Sequence, residues 1–224
     1  MEHVDIAIVG GGFSGLAVLA NLVREAPGPV SIAVISRDPP ETFGPAYSTP
    51  RPEHLLNIRA EGMGLFAGHP CGFFEWAREK NSAAGPGNYL PRRLYAEYLR
   101  SILRDTRELA VKKNITLRFL RAEIEDIEQA EGSLRIAPDV ATARNVVLAI
   151  GNSLKAETTR HRDARLVRDP WAYDYAALAG KTGKIALIGG GLTALDALVS
   201  ILASGWQGRV FCFSRSGLLP EAHP

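Results

Sequence analysis

Val4–Gly15 reads VDIAIVGGGFSG, and its reading decides the fold. Asp5–Val9 (DIAIV) is a short, nearly continuous apolar run, as expected of a parallel strand covered on both faces. Gly10-x-Gly12-x-x-Gly15 follows it directly. Such a pattern alone is weak, but here it ends a strand and opens a helix, which is the context that gives it meaning. Gly10 permits the tight turn, Gly12 lets the backbone approach a pyrophosphate, and Gly15 lets the helix pack closely on the sheet. Phosphates would then lie on the helix N-terminus, where free N–H groups and the helix dipole favour anions. Gly11, Phe13 and Ser14 complete the set of contact candidates in this turn. The competing reading is a glycine turn with no ligand.

Outward from the turn, Ser14–Arg24 (SGLAVLANLVR) has helical apolar spacing and stops before Pro27, Gly28 and Pro29. Val30–Ile35 (VSIAVI) is a second strand. Strand, helix, strand in this order requires a parallel sheet with a right-handed crossover.

The same pattern returns late in the chain. Lys184–Gly191 (KIALIGGG), Leu192–Leu202 (LTALDALVSIL) and Arg209–Arg215 (RVFCFSR) repeat the strand, helix and strand, and the intervals agree: 26 positions from Gly10 to Ser36, 25 from Gly189 to Ser214. The second turn, Gly189-x-Gly191-x-x-Ala194, has alanine in the third place. Gly189, Gly191, Leu192 and Thr193 are its contact candidates. Two such starts by accident are much less plausible than one.

An acidic residue is expected at the end of the second strand, to hold ribose hydroxyls. Ser36 stands there instead, followed by Arg37 and by Asp38 as a displaced acid; the second unit has Ser214 and Arg215 and no acid. Serine and arginine suit a 2′-phosphate, so the second site is expected to prefer NADP(H) over NAD(H).

Between the repeats, residues 38–73 are punctuated by Pro and Gly, with hydrophobic islands that argue against disorder. A short helix is expected over Phe73–Glu79. A longer one starts at Pro91, a residue favoured in the first turn, with Leu94, Tyr98, Ile102 and Leu109 on one face. Ile115–Ala137 alternates, predicting two or three antiparallel strands with a turn near Glu131–Gly132. Asn145–Ile150 (NVVLAI) is again a buried-strand run.

Composition narrows the class without deciding it. The 224 residues carry a net charge of +2, with Lys and Arg spread rather than massed, so nucleic-acid binding has no support. Cys71 and Cys212 form no CxxC pair, which fits a reducing compartment and argues against a disulfide-reductase mechanism or a zinc site. No signal peptide or membrane-length apolar run is evident, so a cytoplasmic protein is expected. No Ser-His-Asp set or conventional metal-ligand spacing emerges, and His54 and His69 read as loop hydrogen-bonders.

Taken together these segments resemble a bacterial group of FAD–NAD(P)-binding flavoproteins with two dinucleotide-binding domains, largely uncharacterised oxidoreductases. Beyond the glycine turns, the matching segments are Gly44–Tyr47, His54–Asn57, Phe74–Trp76, Pro91–Leu99, Ala149–Asn152, Asp169–Trp171, Gly190–Asp196 and Ser214–His223. The resemblance implies an α/β, Rossmann-like FAD domain over residues 1–153, with a parallel sheet and a small antiparallel meander over 115–137. It further implies a linker over 154–183 and the start of a second Rossmann-like NAD(P) unit over 184–224. It places Tyr47, Asn57 and Met63 beside the flavin, Arg92 or Arg93 near a phosphate, and Ala149 and Gly151 at the strand-end turn. Loop packing is the alternative for each.

The implied relatives are about twice as long, so a C-terminal half or a partner chain is expected to complete the machine. Truncation is favoured over a split or reduced protein. The implied activity is an FAD-dependent, NAD(P)H-using oxidoreductase acting on an unidentified small molecule. Monooxygenation is the expected oxidative half, since no cysteine pair is present to take electrons. The alternatives are a non-catalytic FAD/NAD(P)-binding module and a simple NADP dehydrogenase using only the first site.

Overall fold

The computed structural model describes residues 2–130, 132–151, 163, 165–218 and 220. The chain divides into two compact units, Met1–Pro50 with Leu55–Ser153, and Arg51–His54 with Leu154–Pro224.

In the first unit, β1 (Glu2–Val9), α1 (Phe13–Glu25) and β2 (Ser31–Ser36) form the expected opening. The chain then runs through α2 (Gly72–Lys80), α3 (Arg92–Lys112), β3 (Thr116–Arg121), β4 (Asp126–Ala130), β5 (Ser133–Ala137) and β6 (Ala141–Leu148). Among the described residues these six strands make one sheet in the order β3-β2-β1-β6-β5-β4. Its β3-β2-β1-β6 part is parallel, with Ile8 opposite both Val34 and Val147. β4, β5 and β6 run antiparallel to one another as a meander.

The expectation of antiparallel strands throughout Ile115–Ala137 therefore needs correction. β3 lies parallel to β2, with Ser31 opposite Thr116 and Ser36 opposite Arg121. Its residues alternate between exposed and half-buried because it is the edge of the sheet, and an edge strand shows the same period two as an antiparallel one. Within the described part of the turn that follows β4, Gly132 begins the return; Glu131 lies outside the described residues. The proline at the start of α3 is also shifted by one place. Pro91 is extended and precedes the helix, and its carbonyl accepts from the Leu94 and Tyr95 amides.

Both faces of the sheet are covered, which is why Asp5–Val9 lacks polar alternation. One face packs Ile8 with Leu16, Leu19 and Val23 of α1 and with Tyr95, Leu99 and Leu103 of α3. The other gathers Val4, Ala7, Ala33, Ile35, Ile136, Ala141 and Ala143.

At the start of the sheet, Asp5 Oδ2 accepts from the Ser31 amide at 2.9 Å and its hydroxyl at 2.6 Å, and Oδ1 lies 3.1 Å from Arg144. β1, β2 and β6 are thus clasped at one point. The Ser31 side-chain and backbone hydrogen bonds, helped by Arg144, hold the Asp5 carboxyl below the usual carboxylate range. A carboxyl depressed on folding stabilises above its unfolded pKa of about 3.9, and that stability drains as pH falls through the folded value. Urea midpoints should therefore fall below about pH 4, and Asp5→Asn should flatten part of that slope. An unchanged slope would remove Asp5 from the acid response.

The second unit contains β7 (Lys184–Ile188), α4 (Leu192–Ala203) and β8 (Arg209–Phe213), with β7 and β8 parallel and Ile185 opposite Val210. Ala197 and Ile201 of α4 pack with Tyr175, against which Ile185, Leu187, Trp206 and Val210 also lie. Tyr175 belongs to a 3-10 turn, Tyr175–Leu178, whose Ala176 amide donates to the Asp174 carboxylate. Part of the segment expected to be a linker, 154–183, thus folds onto α4; residues 154–162 and 164 lie outside the described residues. Ile188, Phe211 and Phe213 remain exposed. Among the described residues, no helix is long and apolar enough to cross a membrane.

Candidate dinucleotide sites

The carboxyl ends of β1, β2 and β6 meet at Gly10. In an open parallel sheet this is where ligands collect, because strands on the two sides of the first one diverge there. Gly10 has φ +113°, and its amide donates to the Ile35 carbonyl at 2.8 Å. A Cβ at this position would lie 2.1 Å from the Ala149 oxygen, so only glycine fits. Ala149 is held there because its own amide donates to Val9 at 2.8 Å. Gly10 and Ala149 are thus brought together, and Gly151 follows with φ +66°; Asn152 lies outside the described residues. Gly15 is demanded by packing, since a Cβ would meet the Gly10 oxygen at 2.0 Å. Gly11 lies against Ser36, whose Cβ would be 3.0 Å from an added methyl.

Gly12 differs from its neighbours. It precedes α1 in ordinary extended conformation, and an added Cβ would meet nothing nearer than the Phe43 oxygen at 3.8 Å. Neither backbone strain nor internal packing requires glycine here. Space beside the open end of a helix is what a diphosphate needs, so the residues present fit the dinucleotide. α1 has no side-chain cap and no acidic residue in its first turn to compete with an anion. Ser14 is exposed at that turn.

Phe43 is a site residue that the sequence did not reveal. It is buried, sits at φ +56°, and its carbonyl accepts from the Phe13 amide at 3.2 Å. One of the open amides of α1 is thereby used, and the segment after β2 is tied to the glycine turn. Residues with a side chain seldom adopt such a φ; the only local signal is Gly44, which also has positive φ.

That tie carries Tyr47 to the site. Its ring lies 6.0 Å from Phe13 and 5.0 Å from the buried Tyr95. Burial raises the Tyr47 hydroxyl above its ordinary pKa, opposed by the nearby Arg92 charge. Arg92 Nε donates to the Leu55 carbonyl at 2.9 Å, so its guanidinium is positioned by the loop rather than swinging in solvent. Burial likewise pushes Tyr95 and Tyr98 up, leaving all three as neutral hydroxyls at physiological pH. Asn57 is exposed, whereas Met63 is half-buried and packs on the core.

At the end of β2, Ser36 Oγ accepts from the Asp38 amide at 3.3 Å. Arg37 pairs with Glu123 at 3.4 Å, both well exposed, and its carbonyl accepts from Arg121 Nε. Arg121 and Glu123, from β3 and the turn after it, thus join the expected ribose-binding corner.

The second turn repeats the backbone hydrogen bonds of the first but not its packing, since a Cβ on Gly189 would meet nothing within 4 Å. Gly189 has φ +119°, and its amide donates to Phe213 at 2.8 Å. A Cβ on Gly190 would meet Ser214 Cβ at 2.9 Å, and one on Gly191 would meet nothing within 4 Å. Leu195 donates to the Gly191 carbonyl at 3.1 Å, as Leu16 does to Gly12 at 3.0 Å. Leu192, Thr193 and Arg215 are exposed around it, and Ser214 Oγ donates to the Leu218 carbonyl.

Beside α4 is a shallow, partly open pocket with a volume of about 10 Å³, lined by His54, Pro170, Trp171, Tyr175, Thr193, Asp196 and Ala197. His54 is buried, with Nε2 2.8 Å from Ser200 Oγ and 3.2 Å from the Asp196 carbonyl, and its ring meets Trp171 edge-on. His54 is a hydrogen-bonder, as expected.

Comparison with known proteins agrees with this geometry. Solved structures of like fold include a bacillithiol disulfide reductase from Staphylococcus aureus (16% identity, TM-score 0.64, 95% of this chain and 58% of that one). A flavin-containing monooxygenase from Stenotrophomonas maltophilia aligns at 20% identity and TM-score 0.64, over 98% of this chain and 61% of that one. A cyclohexanone monooxygenase mutant from Rhodococcus sp. Phi1, bound to NADP+, aligns at 19% identity and TM-score 0.60, over 96% and 39%. The chain thus spans under two thirds of the length of each, and at these identities the likeness is one of fold. Comparison with curated protein sequences gives no match. Residues 7–153 match the family described as FAD-NAD(P)-binding, and the chain belongs to that family.

Proposed function

We propose that this chain is the nucleotide-binding portion of a flavin-dependent oxidoreductase that draws its electrons from NAD(P)H. The observation that carries the reading is the paired turn: Gly10 with an open Gly12, and Gly189 with an open Gly191, built on the same hydrogen bonds. Two such turns match the needs of a reaction joining two dinucleotides. When bound, the flavin supplies the chemistry, taking two electrons as hydride from the nicotinamide and delivering them onward. The protein's part is to bind and orient. The first turn of α1 receives the FAD diphosphate, and Phe43 fixes the loop that carries Tyr47 towards Arg92 at the start of α3. Tyr47 and Tyr95 present neutral rings that keep water from that side of the turn.

Arg215 and Ser214 face the ribose end of the second turn without an acid, which supports NADPH over NADH. A charge-assisted hydrogen bond is worth about 1.5–3 kcal/mol, so Arg215→Glu should cost the NADPH preference about tenfold or more. An unaltered preference in the intact protein would remove Arg215 from cofactor choice.

Monooxygenation is the oxidative half we favour. Cys71 and Cys212 form no CxxC pair in the sequence, and flavin-containing monooxygenases share the fold. The test is anaerobic addition of NADPH to the FAD-loaded full-length protein, followed by oxygen. Bleaching of the flavin absorbance and substrate-dependent oxygen uptake are expected. Bleaching with no oxygen-linked product points to a reductase, and absence of bleaching with either nicotinamide points to a binding module without turnover.

A further inference from the structure

The first unit carries a second cluster of chemically able side chains, distinct from the glycine turn. His69, Cys71 and Glu75 bring a nitrogen, a sulfur and a carboxylate oxygen within 4.8 Å of one another at the start of α2. We propose that these three side chains form a binding site for a divalent, borderline-soft cation, Zn²⁺, with a fourth position open to water.

The argument begins with what the three residues are not doing. Cys71 stands at the N-cap of α2, yet no side chain caps that helix. Its Sγ turns instead to Glu75 Oε1, 3.0 Å away. Glu75 does not reach back to the open backbone either; its other oxygen lies 2.9 Å from His69 Nε2. Neither side chain caps the open amides of α2, although Glu75 in the first turn is favoured by the helix dipole.

The turn is also built to hold His69 still. Gly64 donates to the Pro70 carbonyl at 2.7 Å, and a Cβ on Gly64 would lie 2.1 Å from the His69 oxygen. Gly72 lies so close to the His69 ring that a Cβ there would come within 3.1 Å of Nδ1. Two glycines thus make room for the histidine, one under its backbone and one beside its ring.

The geometry suits zinc. Bonds of roughly 2.0–2.3 Å at tetrahedral angles place neighbouring ligand atoms about 3.3–3.7 Å apart. The separations here of 2.9 and 3.0 Å, with none above 4.8 Å, bracket that range, so only small movements separate the cluster from a ligand set. Imidazole, thiolate and carboxylate are each established zinc donors, and a thiolate disfavours magnesium and calcium. On binding, the metal replaces the Cys71 thiol proton, which passes to solvent, and His69 shifts its single ring proton from Nε2 to Nδ1 by exchange with water, freeing Nε2 for the ion. Glu75 accepts from both in the metal-free state and keeps one oxygen for the ion. The pattern His-x-Cys-x-x-x-Glu matches none of the usual paired-ligand spacings, which is why the sequence does not advertise it.

The test uses cobalt as a spectroscopic substitute in the full chain, in a Cys212→Ser background so that Cys71 is the only thiol. We expect one equivalent of Co²⁺ to produce a thiolate-to-metal absorbance that Zn²⁺ abolishes by displacement. Cys71→Ser should remove the band. His69→Gln and Glu75→Gln should each weaken Zn²⁺ binding at least tenfold by calorimetry. All three side chains are at least partly exposed, and circular dichroism of each variant checks that the fold is kept. Absence of the band, its persistence in Cys71→Ser, or unchanged affinity in folded His69→Gln and Glu75→Gln overturns the proposal and leaves a hydrogen-bonded cluster. FAD binding is read separately, so the outcome does not depend on the proposed oxidoreductase activity.

Discussion

Gly10→Ala is expected to destabilise the first unit by several kcal/mol and to abolish FAD binding. Two costs add at this position. A left-handed φ on alanine costs on the order of 1–3 kcal/mol. Crowding a methyl to 2.1 Å from the Ala149 oxygen requires β6 to move, and overpacking of this kind costs typically about 1–3 kcal/mol. β6 cannot retreat freely, because Ala149 donates to Val9 and seven residues of β6 pair with β1. A combined loss of about 2–6 kcal/mol is a large share of the roughly 5–15 kcal/mol that a domain of this kind has in total. Urea unfolding followed by far-ultraviolet circular dichroism measures it. A shift under about 1 kcal/mol would mean that the turn relaxes around the methyl and that its shape is not what holds β1 to β6.

Gly12→Asp should do the opposite to the fold and worse to the ligand. The position is an N-cap in extended conformation with open space before it, which suits aspartate. Stability should hold or rise by a few tenths of a kcal/mol, since a negative charge at a helix start is favourable. The new carboxylate would stand where the diphosphate must lie. Two like charges about 4 Å apart repel by about 4 kcal/mol at an effective dielectric constant near 20. FAD affinity should therefore fall at least a hundredfold while the melting temperature is kept. Retention of FAD by a folded Gly12→Asp protein would show that the diphosphate does not sit on this turn. The pair of variants separates two uses of glycine that one motif conceals: Gly10 serves the chain and Gly12 serves the ligand.

What the sequence made legible follows from which forces are local. The turns at Gly10 and Gly189 were readable because φ, close approach and helix opening all act within six residues. The repeat was readable because both turns meet the same requirement. β3 was misassigned because alternation reports exposure, not the direction of the partner, and the partner Ser31–Ser36 lies some eighty residues earlier. Phe43 could not be found because its conformation depends on the Phe13 amide, a tertiary contact. The placement of Arg51–His54 with the second unit was equally hidden, because it depends on His54 meeting Ser200 and on Arg51 lying over the Tyr175 ring. Tyr47 and Arg92 were nominated by resemblance, and the structure seats both beside Phe13 or its aromatic neighbours.

The pairing of β1 with β6 also sets a timetable. Glu2 faces Ala141, so the central strand of the sheet must wait for nearly the whole first unit to be made before its second edge is covered. At a synthesis rate of about 5–20 residues per second, that wait is on the order of 7–28 s. During it β1 can pair only with β2, its neighbour across α1, and the apolar edge Val4–Val9 stands open to any other strand. Folding in the cell is thus paced by translation at this one edge. A nascent chain stalled before Ala141 is the species that most needs a chaperone.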